Sequence, residues 1–581
     1  MRARGLAVLG VAAAVTLAGC ASIPGETLPQ HANLAGGATT PAAVAQPARN
    51  ATPLDIVRGF VSANGDPSGQ HAAARVYLAP AVQNTWNEGT APATVDIIDG
   101  TFSTEGPFTI DNDNVMVVLR AHLLGTIGPD GAYQAPTVGQ AADFELQLHL
   151  RGKAGAQWRI VDPPAALLVT NADFRLYYSA VSVYFFDQSW DVLVPDPRWV
   201  LADPASGVVA RIVQLLLDGP SASLKNAVQD AIPGEAGLKT NVVLTENGVI
   251  TVNLNSMQDQ QSNRKQLMVA QIVRSLQGYG SSVAVESEGQ PLVPGHLNWR
   301  SNDLPTYETY INPKATGLVV AHGKVLNLTD GTAIKGPAGD GTYNVITAAE
   351  SADGTQLATV TAEPGGGHAL RIGGLNGSEA QVIGITAGTF TRPSWTPSDS
   401  AGDPPRSLWT VADGTVLRVV NTAQNTWIAT QVDASALASY RTITDLRLSR
   451  DGVRVAIVAG GSLLVGAVVA DPGGGASIRQ VRLLQPSLTS VTRVDWLNQS
   501  ELVVATIESG APVQTVSVDG RTLDPFTSAN LYSAVTDVAA LDNQPVLAVN
   551  ASGLWQSTDL HQPWQPVLHA QPSVAIPFYP G

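Results

Sequence analysis

The hydrophobic pattern of this chain changes character several times, and each change marks a different kind of structure. Residues 5–18 form an apolar run of Leu, Val, Ala and Gly with one Thr. At about 14 residues it is short of the roughly 20 that a membrane-crossing helix needs. Residues 21–50 carry Pro24, Pro29, Pro41 and Pro47 with no apolar period, which predicts a flexible tether with a mean span on the order of 30 Å. At Thr52-Pro53 the pattern predicts an N-cap followed by Pro at the first helical position. Leu54, Val57, Arg58 and Val61 follow at helical spacing, and a second helical stretch is expected to hold Ala74, Tyr77, Leu78 and Val82. The period then shortens to two. Strands are predicted over 115–124, 142–150 and 158–161, with Asp130-Gly131 as a turn between the first two. Phe144, Leu146, Leu148 and Leu150 alternate with Glu145, Gln147 and His149, so one face of that strand is expected to be buried. Helices followed by a curved antiparallel sheet predict a small α+β domain over residues 52–165.

Between residues 172 and 297 strands alternate with helices. Strands are predicted over 181–186 and 192–195, and Asp203-Pro204 opens a helix carrying Val208, Arg211, Ile212, Leu215 and Leu216. That helix stops at Asp218-Gly219-Pro220. A hairpin turns at Glu246-Asn247-Gly248, a second helix places Val269, Ile272, Val273 and Leu276 on one face, and residues 283–286 form a last strand. This alternation predicts an α/β sandwich. From about Leu304 the chain repeats itself. Hairpin arms begin at residues 318, 357, 408, 453, 502 and 546, at spacings of 39 to 51 residues. Repeats of several short strands at such a period are the mark of a β-propeller. The expected fold class is therefore multi-domain, α+β followed by all-β, with a six-bladed propeller over 304–581. Five or seven blades stay open, because closure can borrow a strand from the preceding linker.

Composition narrows the function. The 581 residues are 14% charged, with 55 Gly and 38 Pro, and carry a formal net charge of −15. An acidic chain without a basic cluster argues against nucleic acid and against docking on anionic lipid by charge. Cys20 is the sole cysteine, so no disulfide supports the fold. It ends Leu17-Ala18-Gly19-Cys20, behind Arg2, Arg4 and the short apolar run, the layout of an export signal with a small-residue cleavage site. Removing residues 1–19 takes away two positive charges and no acid, moving −15 to −17. Chemistry is scarce elsewhere. No His-Glu-x-x-His, Gly-x-Ser-x-Gly or P-loop is present. His561 and His569 stand eight apart, off a shared helix face, and no metal or other cofactor is expected. Asp111-Asn112-Asp113-Asn114 begins like a calcium loop, but Met116 stands where Gly is required. The Asp-Gly pairs at 99, 130, 330, 340, 353, 413, 451 and 519 are read as turns. The tryptophans of the repeats are read as packing between blades rather than as a sugar-binding face. Catalytic residues are expected to be none, and the chain is expected not to be an enzyme.

Several stretches resemble known families. Leu17-Ala18-Gly19-Cys20 resembles a bacterial lipobox, which implies cleavage between Gly19 and Cys20 and S-diacylglycerol and N-acyl groups on Cys20. The tether would then run from 20 to 51, on the extracytoplasmic face of the cell membrane. Residues 52–165 look like an NTF2-type cone. Val183-Tyr184-Phe185, Leu193-Val194-Pro195, Leu215-Leu216-Leu217-Asp218-Gly219-Pro220, Ala231-Ile232-Pro233 and Gln271-Ile272-Val273-Arg274-Ser275-Leu276 occur in the order of the GerMN module, a recognition domain with no known chemistry. Ser275 stands where that family often has Thr. Lipobox, tether, α+β domain, GerMN domain (172–297) and propeller together resemble the actinobacterial LpqB lipoproteins. That resemblance implies an accessory of the MtrA–MtrB two-component system, touching the extracellular part of the sensor kinase MtrB and affecting cell-wall homeostasis and division. Two other readings fit the residues alone: a passive binder of cell-wall glycan, or an envelope propeller hydrolase or lyase.

Overall fold

Thr52 caps the first helix, Pro53–Asn64, by a capping box: the Asp55 amide donates to Thr52 Oγ1 at 3.2 Å and the Thr52 amide to Asp55 Oδ2 at 3.0 Å. In the computed structural model described here, residues 46–86, 95–99, 114–136, 143–152, 157–202, 205–305, 307–314, 316–378, 380–397, 405–440, 442–567 and 575–581 are placed. All of them fall in a single unit, Gln46–Gly581. Cys20, most of the tether, Asp111–Asp113, Asp203-Pro204 and His569 lie outside the described residues.

The first domain buries one face of its helix, through Ile56, Val57, Phe60 and Val61, on a sheet. The strands run in the order Arg159–Ile160, Asp143–Arg151, Asn114–Ile127, Val95–Asp99 and Leu167–Thr170, with Tyr133–Gln134 added beside Asn114–Ile127. The second helical stretch differs from expectation. Gly69, Gln70 and His71 adopt left-handed backbone within Ser68–Arg75, and helix resumes only at Pro80–Gln83. Pro80 disfavours helical backbone at Ala79, so a continuous helix over 74–82 cannot form; Leu78 bridges to Ile160 instead. The same core continues past residue 165 through Leu167, Val169 and Phe174, the last on the helix Asn171–Tyr177.

The second domain pairs Tyr178–Phe186 with Leu193–Leu201, apart from a sheet in which Val249–Leu254 and Ser282–Ser287 are parallel. The helices Ala205–Asp218 and Ser262–Ser275 pack on these strands. Gly219 ends the first helix at φ +85°, backbone that an L side chain rarely adopts. Ser275 fills the place of the family's Thr with a hydroxyl that donates to Gln271 O and accepts from the Tyr184 amide at 3.0 Å.

Six small sheets follow. The first contains Lys324–Asn327, Leu318–Ala321 and Ala575–Phe578; five four-stranded sheets begin with Val345–Glu350, Ser394–Trp395, Ile443–Leu448, Val491–Trp496 and Asp537–Ala539. All six predicted hairpins are present, as in Gln356–Ala362 with His368–Gly374 and Arg454–Ala459 with Ser462–Ala470. The first strands of successive sheets neighbour one another in a closed ring that runs through Ala575–Phe578. Closure therefore uses a strand from the end of the sequence, not from the linker ahead of Leu318. Trp395, Trp409, Trp496 and Trp564 are almost fully buried. Trp395 donates its indole N–H to Ala349 O, and Trp496 to Arg447 O, each at 3.0 Å and each across to the preceding sheet. They are packing residues of the ring, as the sequence pattern implies.

Candidate functional site

The three folded regions meet around the strand Leu193–Leu201. Its family motif Leu193-Val194-Pro195 runs directly into Asp196, Pro197, Arg198 and Trp199. Asp196 and Arg198 form a buried ion pair at 2.6 Å, and Ser221 donates both its amide, at 2.8 Å, and its hydroxyl, at 2.9 Å, to the Asp196 carboxylate. Ser221 is held there because the helix stops at Asp218-Gly219-Pro220; Gly219 O also accepts from Arg198. Two residues of this strand then reach the first domain: Arg198 Nη1 donates to Asp130 O at 2.8 Å, and the Trp199 amide to Gly131 O at 2.7 Å. Gly131 has φ +73°, and a Cβ placed on it would lie 3.1 Å from Trp199 O.

The same strand holds the propeller region. Trp199 Nε1 donates to Asp519 Oδ2 at 2.8 Å, and Arg454 donates to Pro195 O. Arg521 donates to Asn171 Oδ1 and lies over the rings of Phe174, Tyr133 and Trp199, at 5.0, 5.9 and 6.0 Å. Burial pushes the Tyr133 hydroxyl up to about 12, so it stays protonated and donates to Leu124 O. Val453, in the turn ahead of Arg454–Ala459, and Ala467 of the fourth sheet are part of the second domain's hydrophobic core. These contacts border a cavity of about 740 Å³, open on one side. Its wall takes Asp130 and residues 132–136 from the first domain, Asp196, Pro197 and Ser221–Ser223 from the second, and Tyr440, Arg454, Ser462, Gln480–Leu483 and Asp519 from the ring.

A second polar cluster fills the centre of the ring. Asp495 accepts from Arg447 Nε at 3.3 Å and lies 3.6 Å from Arg392; Asp537 lies 3.8 Å from Arg392 and 3.5 Å from Arg493. Burial opposes ionisation of Asp495, but Arg447, Arg392 and Arg450 outweigh it and hold its pKa below the ordinary carboxylate value. Burial raises that of Asp537. Residues 577–581 thread among these groups: Arg392 donates to Pro577 O, Arg450 to Pro580 O and Arg447 to Gly581 O. Glu350, beside them, is pushed up to about 7 by burial and by Asp353.

Of the residues singled out in the sequence, Asp130, Asp330, Asp340, Asp353, Asp451 and Asp519 each accept the amide two residues on, which is turn chemistry. Asp413 instead accepts the amides of Gly388 and Thr389. Met116 is exposed on a strand. Among the described residues, no group of three or more His, Asp or Glu could hold a metal ion. Neither the cavity nor the ring cluster was legible in sequence, because each is assembled from residues tens to hundreds of positions apart. The signal that could have pointed to the cavity is Asp196 beside Arg198 in a strand that is otherwise apolar.

Residues 320–580 match the family described as Lipoprotein LpqB beta-propeller domain, residues 46–175 the Lipoprotein LpqB N-terminal domain, and residues 182–293 the Sporulation and spore germination family. Lipoprotein LpqB of Rhodococcus opacus (strain B4) is 30% identical over 566 residues, covering 93% of this chain and 91% of that protein. The proteins of the same name from Rhodococcus jostii (strain RHA1) and Nocardia farcinica (strain IFM 10152) are 30% identical over 91% of this chain and 89% of theirs, and 27% identical over 99% and 98%. A solved structure of a functionally unknown protein from Desulfotomaculum acetoxidans DSM 771 covers 41% of this chain and 76% of its own at a TM-score of 0.30 and 12% identity, and nothing about function follows from it. With the same three regions in the same order along nearly the whole chain, this protein belongs to the LpqB lipoprotein family.

Proposed function

We propose that this lipoprotein is a non-catalytic accessory of a membrane sensor kinase, contacting the extracytoplasmic part of MtrB and thereby influencing phosphorylation of MtrA. The observation that carries the reading is kinship along the whole chain with proteins named as LpqB lipoproteins. A non-catalytic role is supported by the ring centre, where Asp495 and Asp537 are matched by Arg392, Arg447 and Arg493 and residues 577–581 thread among them. On this reading the six sheets are the blades of a six-bladed propeller, and the first domain is an NTF2-type cone. Cys20 carries the diacylglycerol and acyl groups, and the tether holds the folded regions just outside the membrane. Confinement in one membrane raises the effective concentration of a partner there, so modest affinity suffices.

The test is to crosslink the lipidated protein in membranes and identify what is captured. A sensor kinase should be recovered; glycan fragments alone would overturn the reading. Cys20→Ser should release the protein from the membrane with its folded regions unchanged, since Cys20 stands in the tether ahead of them. If Cys20→Ser protein stays in the membrane fraction through high-salt extraction, Cys20 is not the anchor.

A further inference from the structure

We propose that the cavity where the three domains meet binds a small hydroxylated organic anion, with its carboxylate or phosphate on Arg454 and Arg482 and its hydroxyls on the surrounding polar side chains. A cavity of about 740 Å³ falls in the range of small-molecule sites, roughly 300–1,000 Å³. Two guanidiniums on its wall make no hydrogen bond to a carboxylate. Arg454 is 3% exposed; its Nη1 makes no hydrogen bond, and the nearest carboxylate oxygen, Asp451 Oδ2, is 3.8 Å away. Arg482 donates only to backbone, to Asp519 O at 2.9 Å and Val518 O at 2.6 Å. Burial lowers the pKa of both, the sign that each has lost hydration without full compensation.

The carboxylates of the wall are already engaged. Asp196 serves Arg198 and Ser221; Asp519 takes the Trp199 indole, the Ser517 hydroxyl and the Arg521 amide; Asp130 Oδ1 takes the Ala132 amide. An anion entering the cavity therefore meets two cations that no carboxylate hydrogen-bonds, Arg454 being paired with Asp451 only at 3.8 Å. The cavity is open on one side, so such a pairing is screened less than on a flat surface but is not sealed from water, and the fork of a guanidinium suits a carboxylate or phosphate. The rest of the wall is more apolar than polar, and Gln134, Ser223, Ser439, Tyr440, Ser462 and Gln480 set hydroxyl and amide groups within it that can orient the hydroxyls of an occupant. The occupant would touch all three domains at once, so its binding and their packing are coupled. The inference stands whichever partner the protein has in the membrane.

The experiment titrates the full-length lipidated protein, in detergent, with glucuronate, glucose 6-phosphate and glucose by calorimetry. At least one anion should bind saturably with a Kd of about 1 mM or tighter, and about tenfold or more tighter than glucose; the two arms tell carboxylate from phosphate. Arg482→Gln should weaken binding about tenfold or more. Ser439→Trp adds bulk at the rim and removes no charge, so it should abolish binding with the melting temperature unchanged. Equal binding of the anions and glucose, no binding at about 10 mM, or binding that survives Ser439→Trp would overturn the proposal.

Discussion

Asp196 takes hydrogen bonds from Arg198, the Ser221 amide and the Ser221 hydroxyl, while Arg198 is completely buried. Removing one partner of such a pair leaves a charge in an apolar setting. Asp196→Ala should therefore destabilise the protein by about 3–5 kcal/mol, whereas Asp196→Ala combined with Arg198→Met should recover much of the loss. Denaturant unfolding of the two variants measures this, and equal losses would sink the argument. Glu350 makes a prediction in pH. Its pKa in the folded protein, about 7, lies above the ordinary glutamate value, so the folded state binds the extra proton. Stability is then fully present below the unfolded pKa of about 4.3 and is lost as pH rises through about 7, by on the order of 3 kcal/mol in all. Glu350→Gln should flatten that dependence. Thermal melts from pH 5 to 8 with the same slope for both proteins would contradict it.

Among elements, the repeated units share two devices. In Ser351–Gln356, Ser449–Arg454 and Ser517–Thr522 the serine hydroxyl donates to the aspartate two residues on and accepts the amide five residues on, at 2.9 Å in each case. The first two turns stand at the start of the hairpins of the second and fourth sheets, and the third joins Val513–Ser517 to Leu523–Pro525 at the end of the fifth sheet's hairpin. The other device is the indole that reaches back to the preceding sheet. Trp496 packs with Val494, Leu502 and Val504 while its N–H bonds to Arg447 O. Trp496→Phe should lose about 1 kcal/mol for the hydrogen bond, and Trp496→Ala about 3–5 kcal/mol because a cavity is added. A comparable loss in both would show that packing contributes little there.

For the whole molecule, Ala575–Phe578 is the strand on which the ring depends. It pairs with Leu318–Ala321, and the residues after it accept hydrogen bonds from the arginines at the centre. Deleting residues 575–581 should expose one edge of Leu318–Ala321 and strand Arg447 and Arg450 without those acceptors. Hydrogen exchange should then lose protection at Leu318–Ala321 and Val345–Glu350 first, since these flank the gap; unchanged protection would mean the ring closes some other way.

The sequence by itself determined the elements whose cause is local. The six hairpins follow from apolar arms around turn residues, the helix at Pro53 from its cap, and the second domain from motifs within it. The order of domains was equally legible, because each has its own period. Tertiary structure alone decided the first strands of the ring. Ile443–Leu448 and Val491–Trp496 carry Asp445, Arg447 and Asp495, which look like solvated positions until strands from several sheets bring the opposite charges together. It also decided the closing strand, since which chain end completes a ring depends on where the two ends arrive in space. The three-domain cavity is the same case: Arg454 and Arg482 lie more than 200 residues from Asp196, and a pairing over that distance leaves no period in a sequence. Of Cys20 the sequence alone speaks, for it lies outside the described residues.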